Sequence, residues 1–222
     1  MKNIELLVLD MAGTTINEDN VVYKTLMHAV NDYGYNVTLE KVLSSCAGKE
    51  KLEAISGLLI EIGGDANDSL PIFENFSDQL KVAYQNLDVK PIEGIENFLL
   101  KMRSKDKKII LNTGYTYDIA QQLLDKLGWK ENVYYDALIT ANDVSESRPS
   151  PEMIHLAMQK FNILDPQKVL KAGDSVVDIE EGKNAGCGLT IAVLSGAQKR
   201  SELEKSNPDY IFNTLSEAEE VI

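Results

Sequence analysis

Tryptophan, histidine and cysteine are nearly missing from this chain: of 222 residues, one is Trp, two are His and two are Cys. His28 and His155 sit in no metal-ligand spacing, which leaves no basis for a histidine metal centre. Cys46 and Cys187 provide neither a zinc spacing nor a disulfide framework and read as reduced thiols. Long apolar runs are absent too; none approaches the roughly 20 residues of a membrane span. Positive charge is in short supply, with 22 Lys and Arg against 35 Asp and Glu and a net charge of −13. That balance argues against a nucleic-acid partner, which needs a basic face. The opening MKNIELLVLD has no charged leader followed by a cleavage site. A cytoplasmic protein without membrane or nucleic-acid partners is expected, and a homodimer is left open.

What is present is an ordinary globular composition, 44% hydrophobic and 26% charged. Five short apolar runs, IELLVLD, KKIILN, DALIT, KVLKAGD and GLTIAVL, lack the alternation of half-exposed strands. They read as strands buried on both faces of a parallel sheet. Helical periodicity fills the gaps, in PIEGIENFLLKMRSK, YDIAQQLLDKLG, SPEMIHLAMQKF and SVVDIEEGKNAG. The alternation predicts an α/β fold, a Rossmann-like open parallel sheet. Residues 16–88 show no convincing strand and several amphipathic segments. The expected organisation is therefore an α/β core of residues 1–15 and 89–222, with an all-helical domain, 16–88, inserted after the first strand. The acidic LSEAEEVI reads as a solvated terminal helix.

Ligands of open α/β sheets bind at the carboxyl ends of the strands. There stand Asp10 with its AGTT turn, Asn112-Thr113-Gly114, the loop from Asp143 to Pro151, and Gly173-Asp174-Ser175 with Asp178. A lone Asp10 could simply cap its turn. Asp174 and, one helical turn on, Asp178 change the reading. Three converging carboxylates are costly unless a cation holds them, and hard oxygen ligands suit Mg²⁺. Thr113 can offer a hydroxyl and backbone N–H groups to an anion, or cap the next helix. Arg148 lies in SESRPSP, where two prolines stiffen the loop; taken alone it would read as a surface charge. Position 12, where a second carboxylate could handle protons, is Ala12.

In order and spacing these residues resemble the four motifs of the haloacid dehalogenase superfamily. The resemblance implies a nucleophilic Asp10, a phosphate-binding Thr113, and Arg148 as the cation of the third motif. It implies Mg²⁺ on Asp10, the Ala12 backbone carbonyl, Asp174 and, through water, Asp178. Gly13, Thr14, Gly114 and Tyr115 would line the substrate. The helical insertion lies where the superfamily carries a cap domain. DMAGTT, NTGYT and an Arg before Pro149 are more specifically similar to the phosphonatase (phosphonoacetaldehyde hydrolase) and phosphonatase-like group. That group has a cap lysine three residues after a glycine, here Lys51 after Gly48 in AGKEKLEAI. By spacing alone Lys51 would be a solvated lysine between two glutamates.

The resemblance implies hydrolysis of the C–P bond of phosphonoacetaldehyde or a related 2-oxo-phosphonate. A Lys51 imine would take up the electrons of the breaking C–P bond, so that no carboxylic acid at position 12 is needed to protonate a leaving oxygen. The alternative is a phosphatase for a small phosphorylated metabolite with an activated leaving group. Ala54, Asn20 and Met11 replace a histidine, a cysteine and an aromatic residue of phosphonatase proper, which points to a substituted substrate.

Overall fold

The computed structural model describes residues 3–47, 49 and 51–222. The chain divides into two compact units, one of residues 1–17 and 89–222, the other of residues 18–88.

The first unit is built on a six-stranded sheet. Its strands are β1 (Leu6–Asp10), β4 (Lys108–Asn112), β5 (Ala137–Ile139), β6 (Val169–Gly173), β7 (Leu189–Val193) and β8 (Tyr210–Phe212), in the order β5-β4-β1-β6-β7-β8. Every pairing is parallel. β1, β6 and β7 are buried along their whole length, which is why their sequences run apolar instead of alternating. From β1 the chain winds outward through β4 and β5 on one side, then through β6, β7 and β8 on the other. Asp10 therefore ends the strand at the topological switch, where such sheets bind ligands.

Four helices carry the crossovers: α5 (Ile95–Ser104), α6 (Tyr117–Leu127), α7 (Glu152–Lys160) and α8 (Val176–Asn184). Met153, Ile154 and Ala157 of α7 pack with Leu6, Val8, Ile110 and Val169. Ile179 of α8 packs with Ala192 and with Leu203 of the short α9 (Arg200–Leu203).

Three features of this unit depart from the sequence reading. A small antiparallel ribbon joins β2 (Ile16–Asn17) to β3 (Lys90–Pro91), so Ile16 and Asn17 belong with the sheet unit, and the division falls after Asn17. β8 was not expected. Residues Leu215–Val221 form a 3-10 helix that buries Leu215 and Ala218, and Ile222 after it is buried too, so the acidic tail is anchored by apolar residues.

The second unit is all helical: α1 (Val21–Asp32), α2 (Leu39–Cys46), α3 (Lys51–Glu61) and α4 (Ser69–Asn86). Ile72, Phe76, Leu80 and Tyr84 of α4 are buried at a four-residue spacing, one apolar stripe. Ala54, Ile55, Leu58 and Leu59 form the buried face of α3. Thr38 caps α2 by accepting from the Lys41 N–H at 3.2 Å. Asn31 closes the turn before α2, donating to the Val37 carbonyl at 3.0 Å and accepting from its N–H at 2.7 Å. Among the described residues, no helix is long and apolar enough to cross a membrane.

Candidate active site

Pairing register puts the candidate residues side by side. Asp10 pairs with Asn112 and Leu9 with Ala172, so Asp10, Thr113 and Asp174 stand together at the carboxyl ends of three adjacent central strands. Ligand oxygens of Asp10, Asp174 and Asp178 all lie within 4.8 Å of one another, and all three residues are buried. Arg148, with 12% of its side chain exposed, donates through Nη1 to Asp10 Oδ1 at 2.7 Å and also to Asp178 Oδ1.

The loop carrying Arg148 is shaped by hydrogen bonds. Ser145 N and Oγ both donate to the Glu152 carboxylate at 2.9 Å. Asn184 donates to the Pro149 carbonyl at 2.9 Å. Asp143 closes back on Thr140, accepting from its N–H at 2.7 Å and its hydroxyl at 2.8 Å.

The turn after Asp10 is equally fixed. The N–H groups of Thr14, Thr15 and Ile16 all donate to the Met11 carbonyl, at 3.2, 2.9 and 2.9 Å, and Gly13 N–H donates to Ile16 O at 2.8 Å. These amides are therefore spent within the turn. Thr14 reaches the site with its hydroxyl, which donates to Asp10 Oδ2 at 3.3 Å. Gly13 has φ +79, and a Cβ there would lie 2.5 Å from Asp174 Oδ2; only glycine lets this turn approach Asp174 so closely.

Thr113 is buried, and its own N–H donates to Ile139 O at 3.0 Å, which removes that group from anion binding. Its hydroxyl oxygen accepts from Tyr115 N–H at 3.2 Å and keeps its proton to donate. A Cβ on Gly114 would lie 3.3 Å from Arg148 Nη2, so the second and third motifs meet there. Lys51 belongs to the helical unit. It opens α3, donates through Nζ to the Lys49 carbonyl at 2.7 Å and lies 5.4 Å from the centre of the Tyr23 ring. Gly48 lies outside the described residues.

Two functional candidates, Lys171 and its partner Glu181, escape sequence reasoning. Lys171, fully buried in the middle of β6, pairs with Asp178 Oδ1 at 3.0 Å and Glu181 Oε2 at 2.9 Å. Its sequence signal is a lysine inside the apolar run VLKAG, with acids three apart on the following helix.

Electrostatics define what the cluster can hold. Burial, reinforced by Asp178, raises the Asp10 carboxyl to about 6 against the pull of Arg148 and Lys171. Burial and the charges of Asp10 and Asp178 raise Asp174 well above its usual value. Burial would raise Asp178 as well, but Arg148 and Lys171 outweigh it and hold that carboxyl at about 2. Four buried carboxylates against two cations leave a formal charge of −2 when all are ionised. A divalent, oxygen-seeking cation fits both that charge and the all-carboxylate donor set.

The fold and this cluster define an α/β protein with a buried acidic site, suited to a divalent cation, at the carboxyl ends of its central strands. Residues 7–193 match the haloacid dehalogenase-like hydrolase family, and the chain belongs to it. It is 27% identical to the phosphonoacetaldehyde hydrolase of Latilactobacillus sakei, over 98% of this chain and 94% of that one. Its fold matches the phosphonoacetaldehyde hydrolase like protein of Oleispira antarctica with a TM-score of 0.81, at 21% identity over 99% of this chain and 91% of that one. The predicted phosphoglycolate phosphatase of Haemophilus somnus matches with a TM-score of 0.80, at 17% identity over 100% and 99% of the two chains.

Proposed function

We propose that this hydrolase cleaves the C–P bond of phosphonoacetaldehyde or a related 2-oxo-phosphonate. The observation that carries the reading is the make-up of the first motif. Asp10 is held by Arg148 at 2.7 Å while position 12, two residues on, is Ala12 and offers no acid for a leaving alkoxide.

In this reading the 18–88 unit is the cap and Lys51 its nucleophile. The Lys51 amine attacks the substrate aldehyde, and loss of water gives a protonated imine. Asp10 Oδ then attacks phosphorus. The P–O bond forms as the C–P bond breaks, and its electron pair passes into the imine to give a neutral enamine. Water hydrolyses the aspartyl phosphate to inorganic phosphate. Protonation of the enamine at carbon, then hydrolysis of the imine, returns the Lys51 amine and acetaldehyde.

Arg148 stabilises the phosphoryl charge, and the Thr113 hydroxyl, Thr14, Gly13, Gly114 and Tyr115 border the substrate. Asp10, Asp174 and the Ala12 carbonyl would hold Mg²⁺. Asp178, whose oxygens already accept from Arg148, Lys171 and Ser175, would act through water. The ion supplies charge neutralisation at the phosphoryl group.

A second reading, hydrolysis of an activated phosphate such as an acyl phosphate, draws on one observation: Lys51 Nζ is engaged by the Lys49 carbonyl at 2.7 Å within its own unit. Phosphate release from phosphonoacetaldehyde and from p-nitrophenyl phosphate, by wild type and Lys51→Ala, separates the two. Loss of only the phosphonate activity in Lys51→Ala, with borohydride trapping a substrate adduct on Lys51, supports C–P cleavage. Full phosphonate turnover by Lys51→Ala, or no trapped adduct, sinks it in favour of the phosphatase.

A further inference from the structure

A lysine with no exposure on a central strand of the sheet needs an explanation, since an apolar residue at that place would avoid the cost of burying a charge. Val8 of β1 and Thr190 of β7 flank Lys171 in the pairing. Its ammonium has three protons to donate and three acceptors around it: Asp178 Oδ1 at 3.0 Å, Glu181 Oε2 at 2.9 Å and Asn112 Oδ1. Asn112 in turn donates to both Glu181 oxygens, at 2.8 and 3.1 Å. Lys171, Asn112 and Glu181 thus form a closed polar ring with every ammonium proton placed.

The ring opens toward the site at one atom. Asp178 Oδ1 accepts from Lys171 and from Arg148, and Arg148 Nη1 also donates to Asp10 Oδ1. Two glycines permit this arrangement. A Cβ on Gly173 would lie 2.1 Å from Asp178 Cγ, and one on Gly182 would lie 2.8 Å from Lys171 Cβ. Both clear the space that lets α8 lie on β6 with Asp178 and Glu181, three residues apart on one helical face, straddling the same ammonium.

We propose that Lys171, Asn112 and Glu181 are positioning residues. They fix Asp178, and through it Arg148, for a phosphoryl group on Asp10, and they set the −2 balance that suits a divalent ion. The inference rests on Asp10 as the nucleophile, not on the identity of the substrate.

The test uses beryllofluoride with Mg²⁺, a mimic of the aspartyl phosphate, followed by fluorine NMR and calorimetry on the intact chain. Lys171→Met/Glu181→Gln removes one charge of each sign, so the balance is kept while the link to Asp178 is cut. It is expected to stay folded and to bind beryllofluoride about 10- to 100-fold more weakly. Glu181→Gln alone keeps Lys171 and the Asn112 bond, reduces the negative balance, and is expected to raise the Mg²⁺ needed for half-formation of the complex about tenfold. A purely structural role would lower the melting temperature and leave both readouts unmoved. Wild-type beryllofluoride affinity in the folded double variant overturns the proposal; should that variant not fold, a wild-type Mg²⁺ requirement in Glu181→Gln does so. A wild type that forms no beryllofluoride complex instead sinks Asp10 as the nucleophile, and the positioning role falls with it.

Discussion

Glu18→Gln is expected to stabilise the protein at pH 8 and to change little at pH 4.5. Glu18 is 4% exposed, and among the described residues its Oε2 has no hydrogen-bond partner. Burial is the dominant influence, offset only in part by the Val21 and Val22 N–H groups at the start of α1, and it lifts the carboxyl from 4.5 to about 7. The folded chain therefore holds this proton more tightly than the unfolded chain does. Below pH 4.5 both states are protonated. Between pH 4.5 and 7 the unfolded state loses the proton first, so stability falls as pH rises through that window. Above about 7 both states are ionised and the loss is complete. The gap corresponds to about 3 kcal/mol.

Glutamine keeps an oxygen for the Val21 and Val22 amides and cannot ionise, so the variant should lose this pH dependence. Its advantage over wild type should grow from near zero at pH 4.5 to about 3 kcal/mol at pH 8. Urea titrations followed by far-ultraviolet circular dichroism at pH 4.5, 6 and 8 measure it. The other titrating groups are common to both proteins and cancel in the difference. A wild type–variant difference that is flat across this range refutes the reasoning.

Other predictions follow from the same structure. Arg148→Met removes the donor shared by Asp10 and Asp178 and should lower kcat by about 10²- to 10³-fold, with the fold checked by circular dichroism. Gly196→Ala would put a Cβ 1.9 Å from Asp174 Oδ2; the displaced carboxylate should raise the Mg²⁺ requirement by about tenfold or more in calorimetric titration. Burial pushes the Cys46 thiol up to about 11 and the Cys187 thiol up to about 12, so neither is a thiolate at pH 7.5. Iodoacetamide should label the native protein far more slowly than the urea-unfolded chain, by mass spectrometry.

The sheet was legible because its central strands are short, apolar on both faces and bounded by turns, a pattern that fully buried parallel strands impose. β8 was not, since Tyr210-Ile211-Phe212 is three residues long and partly exposed at an edge. The β2–β3 ribbon has two residues per strand, too few for any period to show. The carboxylates at the strand ends could be read because chain position alone puts them there. Thr113 was legible only in part. Its hydroxyl was in view, but nothing local reveals that its N–H pairs with Ile139 on a neighbouring strand. Lys171 was illegible for a related reason. Which way a buried lysine points, and which acids meet it, depends on how closely α8 can lie on β6, and that distance is set by Gly173 and Gly182.

The net charge of −13 sits awkwardly with the anionic phosphoryl substrate proposed above until it is separated from the local field. Long-range attraction is not available to this protein, since exposed charges are screened within about 8 Å at physiological salt. What acts on a phosphoryl group at Asp10 is the buried set, where screening is weak. There Arg148 and Lys171 stand against Asp10, Asp174, Asp178 and Glu181. Without a bound cation the fully ionised set repels an anion, or else Asp10 and Asp174, whose carboxyls are both raised, must take up protons. One divalent ion brings the fully ionised set to neutrality, with Arg148 already pressed against Asp10. Cation binding and phosphoryl binding should therefore be coupled, the first favouring the second and, by linkage, the reverse. A calorimetric titration of beryllofluoride at increasing Mg²⁺ measures that coupling, and an affinity independent of Mg²⁺ would contradict it.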